Sequence, residues 1–171
     1  MRKIIIVPYK KSWLSDFEAE KELLIQSIPV KDLAIHHIGS TSVVDLAAKP
    51  IIDILIETKN IDELDQVEKD FESIGYECKG EFGIPGRRYY QKGGDNRTHQ
   101  IHAFALGSIG AKRHLAFRDY LIANKQVANE YQDVKYNAAK KCNNDISLYC
   151  ELKNDFVAHH EALAIKWAKI T

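Results

Sequence analysis

The sequence predicts a mixed α/β domain with a helical C-terminal extension. Three observations predict it: short apolar runs that end in glycine or enclose a single acid, an apolar stripe at helical spacing between such runs, and a final stretch after Gly110 without proline or glycine. At 171 residues the chain has the length of one domain and can bury roughly two-thirds of its unfolded surface without staples. Hydrophobic residues are 45% and charged residues 28% of the sequence, a balance that excludes disordered and membrane-spanning classes. Lys plus Arg and Asp plus Glu number 24 each, so no global field favours a polyanion. Nucleic acid is not an expected partner, and any basic site has to be local.

The elements follow in order. Trp13, Phe17, Leu24 and Ile28 approximate helical spacing, with the helix starting at Ser12 or Ser15 and Ser15 and Glu18 matching a capping box. Residues 33–38 read as a short strand ending in Gly39, and 51–56 as a buried strand interrupted only by Asp53. Between them TSVVDLAA holds one or two helical turns before Pro50. Ile61, Leu64, Val67, Phe71 and Ile74 predict one helix stopped by Gly75. RRYYQK and THQIHAFAL, joined by Gly93-Gly94-Asp95-Asn96, predict an antiparallel hairpin. From there the chain predicts helices with breaks near Asn124 to Gln126 and at Asn143-Asn144. The last helix carries Tyr149, Leu152, Phe156, Leu163 and Trp167 on a face that packs on the preceding helix or the sheet. The division is a sheet-containing core over about residues 1–108 and a helical extension over about 109–171 within one domain.

The four-residue apolar run before Pro8 is too short for a signal-peptide core, and no segment calls for lipid, so the expected location is the cytoplasm. Cys78, Cys142 and Cys150 are odd in number and lack CxxC spacing, which argues against a disulfide framework or zinc ribbon and for small core residues.

Candidate chemistry concentrates in HHIGSTSVVDLAAKPIIDILI. Gly39 allows a ligand close to the backbone, and Ser40, Thr41 and the following amides can donate to phosphate oxygens. The alternative is a helix cap made by Ser40 or Thr41 without any ligand. Asp53, inside an apolar run, needs a metal, a cation or an exposed sheet edge, and Lys49 and Arg88 are the candidate cations. His99 and His102 fall on opposite faces of their strand, and His102, which shares a face with Gln100, is the better candidate. One of Arg87 and Arg88 should point inward with Tyr90 and suit a phosphate. His114 and Arg118 share a helix face that can close over an anion; the alternative for the group is a solvated helix face with Arg118 paired to an Asp or Glu, and Arg113 reads as part of that solvated face.

Taken together, the IGST turn with AAKP-x-x-D, the arginine pair, the TH-x-x-H strand and the RH-x-x-F-R-D-Y-L helix resemble the GrpB family of nucleotidyltransferase-like proteins over nearly the whole chain. The resemblance implies a nucleotidyltransferase-like small mixed β-sheet flanked by helices. It also implies a Gly-Ser turn for nucleotide phosphates and strand carboxylates for divalent metal. Gly39, Ser40 and Asp53 match that pattern. Leu55 stands where a second acid is expected, which leaves Asp53 and His102 to hold one metal, magnesium, manganese or zinc, with the last two suiting a histidine better.

Three functions follow. One is a nucleotidyl or phosphoryl transferase, with Asp53 and His102 catalytic on one metal and with Gly39, Ser40, Thr41, Lys49, Arg87, Arg88, His114 and Arg118 on phosphate. Another is a module that binds a nucleotide or other phosphorylated small molecule without catalysis. The third is a scaffold acting through a protein partner of the helical extension. Either of the first two requires Asp53, His102 and the Gly39-Ser40 turn to line one cleft.

Overall fold

The computed structural model describes residues 3–170. Its elements run α1 (Ser12–Ser27), β1 (Ala34–Ile38), a 3-10 turn (Ser40–Ser42), β2 (Ile52–Thr58), α2 (Glu63–Gln66), α3 (Glu68–Ser73), β3 (Tyr76–Cys78), β4 (Arg88–Lys92), β5 (His99–Ala105), α4 (Ile109–Ala123), α5 (Lys125–Lys141) and α6 (Ile146–Trp167). The five strands form one sheet in the order β1-β2-β5-β4-β3. Only β2 and β5 are parallel. The sheet is therefore mixed, as the sequence predicts, and the expected hairpin is β4 with β5.

Strand alternation assigns the two faces. Ile52, Ile54 and Ile56 of β2, with Ile101 and Ala103 of β5, meet Trp13, Phe17, Leu24 and Ile28. All four apolar positions read for the first helix are thus core. On the opposite face Ile38, Leu55 and Phe104 pack against Ala111 of α4. A Cβ on Gly110 would lie 2.4 Å from the Phe104 ring, so the glycine lets α4 seat directly on β5.

Several local expectations are corrected. Ser15 lies inside α1 and its hydroxyl donates to Ser12 O, so no capping box forms with Glu18. The segment after Gly39 makes one 3-10 turn rather than a helix, passes through a second turn at Val44-Asp45, where Asp45 has φ +66°, and then reaches a bridge between Val7 and Ala48. The stripe from Ile61 to Ile74 breaks at Val67 into α2 and α3. In one straight helix the thirteen-residue span would put Ile61 and Ile74 about 140° apart, and the break lets both pack against the same core. Strand β3 was not predicted, being three residues at a sheet edge. Cys150 is exposed rather than core.

The helices join where expected. Asn124 separates α4 from α5, and Asp145, accepting from Ser147 N and Leu148 N, caps α6 after Asn143-Asn144. α6 packs on both α4 and α5. The loop after the 3-10 turn is gripped between them: Val43 and Leu46 with Leu121, Ala128 and Tyr131, and Ala47 with Ile4, Ile6, Ala138 and Tyr149. Among the described residues no helix is long and apolar enough to cross a membrane.

Candidate functional site

Gripping that loop leaves a cleft of about 270 Å³ between one end of the sheet and α4, α5 and α6. Gly39, Ser40, Thr41, Lys49, Asp53 and Arg118 line it, joined by Gln100, Tyr131, Lys135, Tyr149 and Lys153. Gly39 has φ +70° and ψ −172°, a conformation nearly confined to glycine, and a Cβ there would lie 2.5 Å from Asp53 Oδ2. The turn and the acid therefore fit together only because position 39 has no side chain.

Past the glycine, Ser42 Oγ donates to Gly39 O at 2.5 Å and tightens the turn. Thr41 is buried and its hydroxyl meets His37 Nε2 at 2.9 Å. His37 stacks on Phe17, with ring centroids 4.7 Å apart. Burial, reinforced by the Arg118 guanidinium, lowers its pKa to about 4, so its imidazole is neutral at pH 7. Among the described residues Ser40 Oγ makes no hydrogen bond, which leaves it as the turn's hydroxyl for a ligand. Arg118 reaches the same place from α4, donating from Nη1 to His37 O at 3.1 Å and from Nε to Asp119 Oδ1 at 2.8 Å.

Asp53 pairs in register with Ile38 on one side and Gln100 on the other. With its amide nitrogen turned toward the acid, Gln100 donates to Asp53 Oδ1 at 3.0 Å and accepts from Tyr89 OH at 3.2 Å and Arg97 Nη1 at 3.3 Å. Leu55, the next residue of β2 on this face, is fully buried beneath α4. The cleft's other charges are cations. Lys135, 2% exposed, donates to Ala47 O and lies 4.6 Å from the Tyr131 ring centroid. Its pKa falls to about 7, chiefly through burial and then through Lys153, with Asp53 opposing the shift. Lys49 and Lys153 both stand over the Tyr149 ring, 4.8 and 4.4 Å from its centroid.

The remaining sequence-predicted residues lie elsewhere. His102 pairs with Leu55, two residues and so about 7 Å along β5 from the cleft floor. It sits with Tyr89 and His114, their ring centroids 5.3 and 4.9 Å away, and accepts from Arg87 Nη1 at 3.4 Å. Burial, then His114, Arg87 and Arg113, holds its pKa well below the usual value, and His114 falls to about 4 for the same first reason. Arg87 is 6% exposed and donates to Glu81 O and Phe82 O at 3.2 and 2.7 Å, pinning the loop before β4. Arg113 Nε lies 2.8 Å from Glu161 Oε1 without a well-aligned hydrogen bond. Arg88 is the arginine that shares Tyr90's face, but it grips Asp65 with two nitrogens, at 2.5 and 2.7 Å, and Asp62 with one, holding α2 to the sheet.

The Asp53–His102 metal pair is therefore corrected: the two share a face of the sheet but not the cleft. Among the described residues no three His, Cys, Asp or Glu side chains cluster to hold a metal ion. One carboxylate amid Lys49, Lys135, Lys153 and Arg118 does not fit a divalent cation. Sequence reasoning missed Gln100 as Asp53's neighbour and the cations and rings from α5 and α6. Gln100 was within reach, since it sits at the alternation point of β5 that matches Asp53; the helical residues carry no motif.

Fold and cleft define a mixed α/β domain in which a glycine-serine turn and a lone acid face a cation-rich helical wall. The chain belongs to the GrpB family: the family model described as GrpB protein matches residues 3–162. It is 43% identical over 168 residues to the UPF0157 protein YqkA of Bacillus subtilis, covering 98% of this chain and 49% of that protein. It is 32% identical over 160 residues to the glutamate-rich protein GrpB of Alkalihalophilus pseudofirmus, covering 91% and 92% of the two. The crystal structure of the conserved protein GrpB from Enterococcus faecalis superposes with a TM-score of 0.91 at 40% identity, over 96% of this chain and 99% of that one. The chain thus spans about half the length of the Bacillus subtilis relative.

Proposed function

We propose that the cleft binds a phosphorylated small molecule, a nucleotide foremost, as a binding site rather than a two-metal transferase centre. Because His102 lies outside the cleft, the requirement that it line the site with Asp53 and the Gly39-Ser40 turn is not met, and the proposed site does without it. The observation that carries this reading is the donor set: Ser40 and four cationic side chains, Lys49, Arg118, Lys135 and Lys153, around one acid. Phosphate oxygens satisfy such a set through charge-assisted hydrogen bonds. A two-metal clamp needs several carboxylates, and here Leu55 and Gln100 occupy the places beside Asp53. The partner is accordingly a small anion or anhydride, and magnesium, manganese or zinc is not required for it to bind.

Calorimetric titration with pyrophosphate and with ATP at pH 6, with chelator or with each of the three metals, tests the reading. Binding should persist in chelator, and Asp53→Asn, which removes the only carboxylate lining the cleft among the described residues, should hold or raise affinity. Binding that appears only with metal and vanishes in Asp53→Asn would replace the module by the transferase. No binding under any condition would leave the scaffold.

A further inference from the structure

We infer that the ligand is elongated, with a phosphate end beside Ser40 and Arg118 and a flat, hydrogen-bonding end of nucleoside type lying in a second depression across Lys49 and Ile51. This inference rests on the binding function proposed above. The second depression, of about 420 Å³, shares Lys49 and Ile51 with the first and is further lined by Ile5, Pro50, Asn96 and Arg97, together with the charged Lys3 and Asp95. The two depressions therefore adjoin across one lysine and one isoleucine. Alone, the first, at about 270 Å³, falls below the roughly 300 to 1,000 Å³ of small-molecule sites, and joined to the second it falls inside that range.

The chemistry differs between the two. In the first, a single acid faces several cations; in the second, Ile5, 53% exposed, and the exposed Pro50 form an apolar shelf at the surface. Beside the shelf stand the Arg97 guanidinium and the Asn96 amide. A guanidinium plane and an apolar shelf favour a flat ring, and an amide can read its polar edge. A ligand made of phosphate alone leaves that shelf uncovered. Arg97 also ties the halves together, since its Nη1 reaches the Gln100 amide that contacts Asp53.

The test compares pyrophosphate with ADP by calorimetry in chelator, using the full chain and two exposed substitutions, Ile5→Asn and Asn96→Ala. ADP carries no more negative charge than pyrophosphate, so an advantage of about tenfold for ADP has to come from its nucleoside. Both variants should reduce that advantage severalfold and leave pyrophosphate binding unchanged. Equal binding of ADP and pyrophosphate would overturn this inference while leaving the proposed function intact. An ADP advantage that neither variant touches would overturn the placement of the nucleoside. Absence of binding by both ligands would overturn the proposed function and this inference with it.

Discussion

Two polar clusters lie on the α4 side of the sheet, two residues apart along β5, and they meet opposite fates. At Gln100 the strand faces the cleft, where Lys49, Lys153 and Arg118 surround Asp53. At His102 it faces the loop before β4, where Arg87 spends two of its donors on carbonyls and two imidazoles are held neutral. Residue type does not separate them, because both hold arginine and potential ligands. Cover does: α4 and the 81–87 loop close one end, while the gripped loop and α6 leave the other open. Basic residues in the closed cluster fix structure, and those in the open one line a cleft, where the function proposed above gives them a ligand.

The largest effect that would break this comparison is expected at Arg87. Arg87→Met removes a buried guanidinium and its bonds to Glu81 O and Phe82 O, and should cost about 2–4 kcal/mol in urea unfolding, yet change ligand affinity less than twofold. A large affinity loss with intact stability would merge the two clusters. Next comes Lys135, whose folded pKa of about 7 lies below its ordinary 10.5. Between those values the unfolded chain binds more protons, so stability rises with pH across that window, and below about pH 7 the whole cost of burying the charge is present. Lys135→Met should therefore raise stability at pH 6 by on the order of 2–3 kcal/mol and by less at pH 9. Equal effects at both values would show that the amine is not held in the cleft as a strained charge.

Gly39→Ala sharpens the same picture from the backbone. The strained φ and the contact with Asp53 should cost about 1–3 kcal/mol and weaken ligand binding, because turn and acid cannot then occupy their present places. The smallest expected effect is at Lys153, which is half-buried and stands over Tyr149. Lys153→Met should lower pyrophosphate affinity about tenfold, some 1.4 kcal/mol, with little change in urea midpoint. A stability loss without an affinity loss would make it a structural residue like Arg87.

Much of the fold was legible because periodicity reports burial locally. The α1 stripe, the strand around Asp53, the hairpin and the helix breaks at Asn124 and Asn143-Asn144 all appear where the pattern puts them. The stripe from Ile61 to Ile74 identified the correct core residues and the wrong backbone, since several backbones can bring the same side chains to one core. Within the site, Gly39, Ser40 and Asp53 were legible because the turn and the next strand are adjacent in sequence. Strand phase was sufficient to put His102 on Asp53's side of the sheet, but not to show how far along the strand α4 closes over it.

By itself, then, the sequence determined the mixed sheet, the helical extension and the turn that faces Asp53, all of which follow from residue spacing and glycine's conformational freedom. The tertiary structure alone decided which cations share that turn's cleft. Lys135 and Lys153 approach from helices more than 80 residues away in the chain, and Arg88, nearer in sequence, is drawn off by Asp62 and Asp65. The physical reason is that a charge acts through space, and its distance to a partner is set by helix packing that no local pattern encodes.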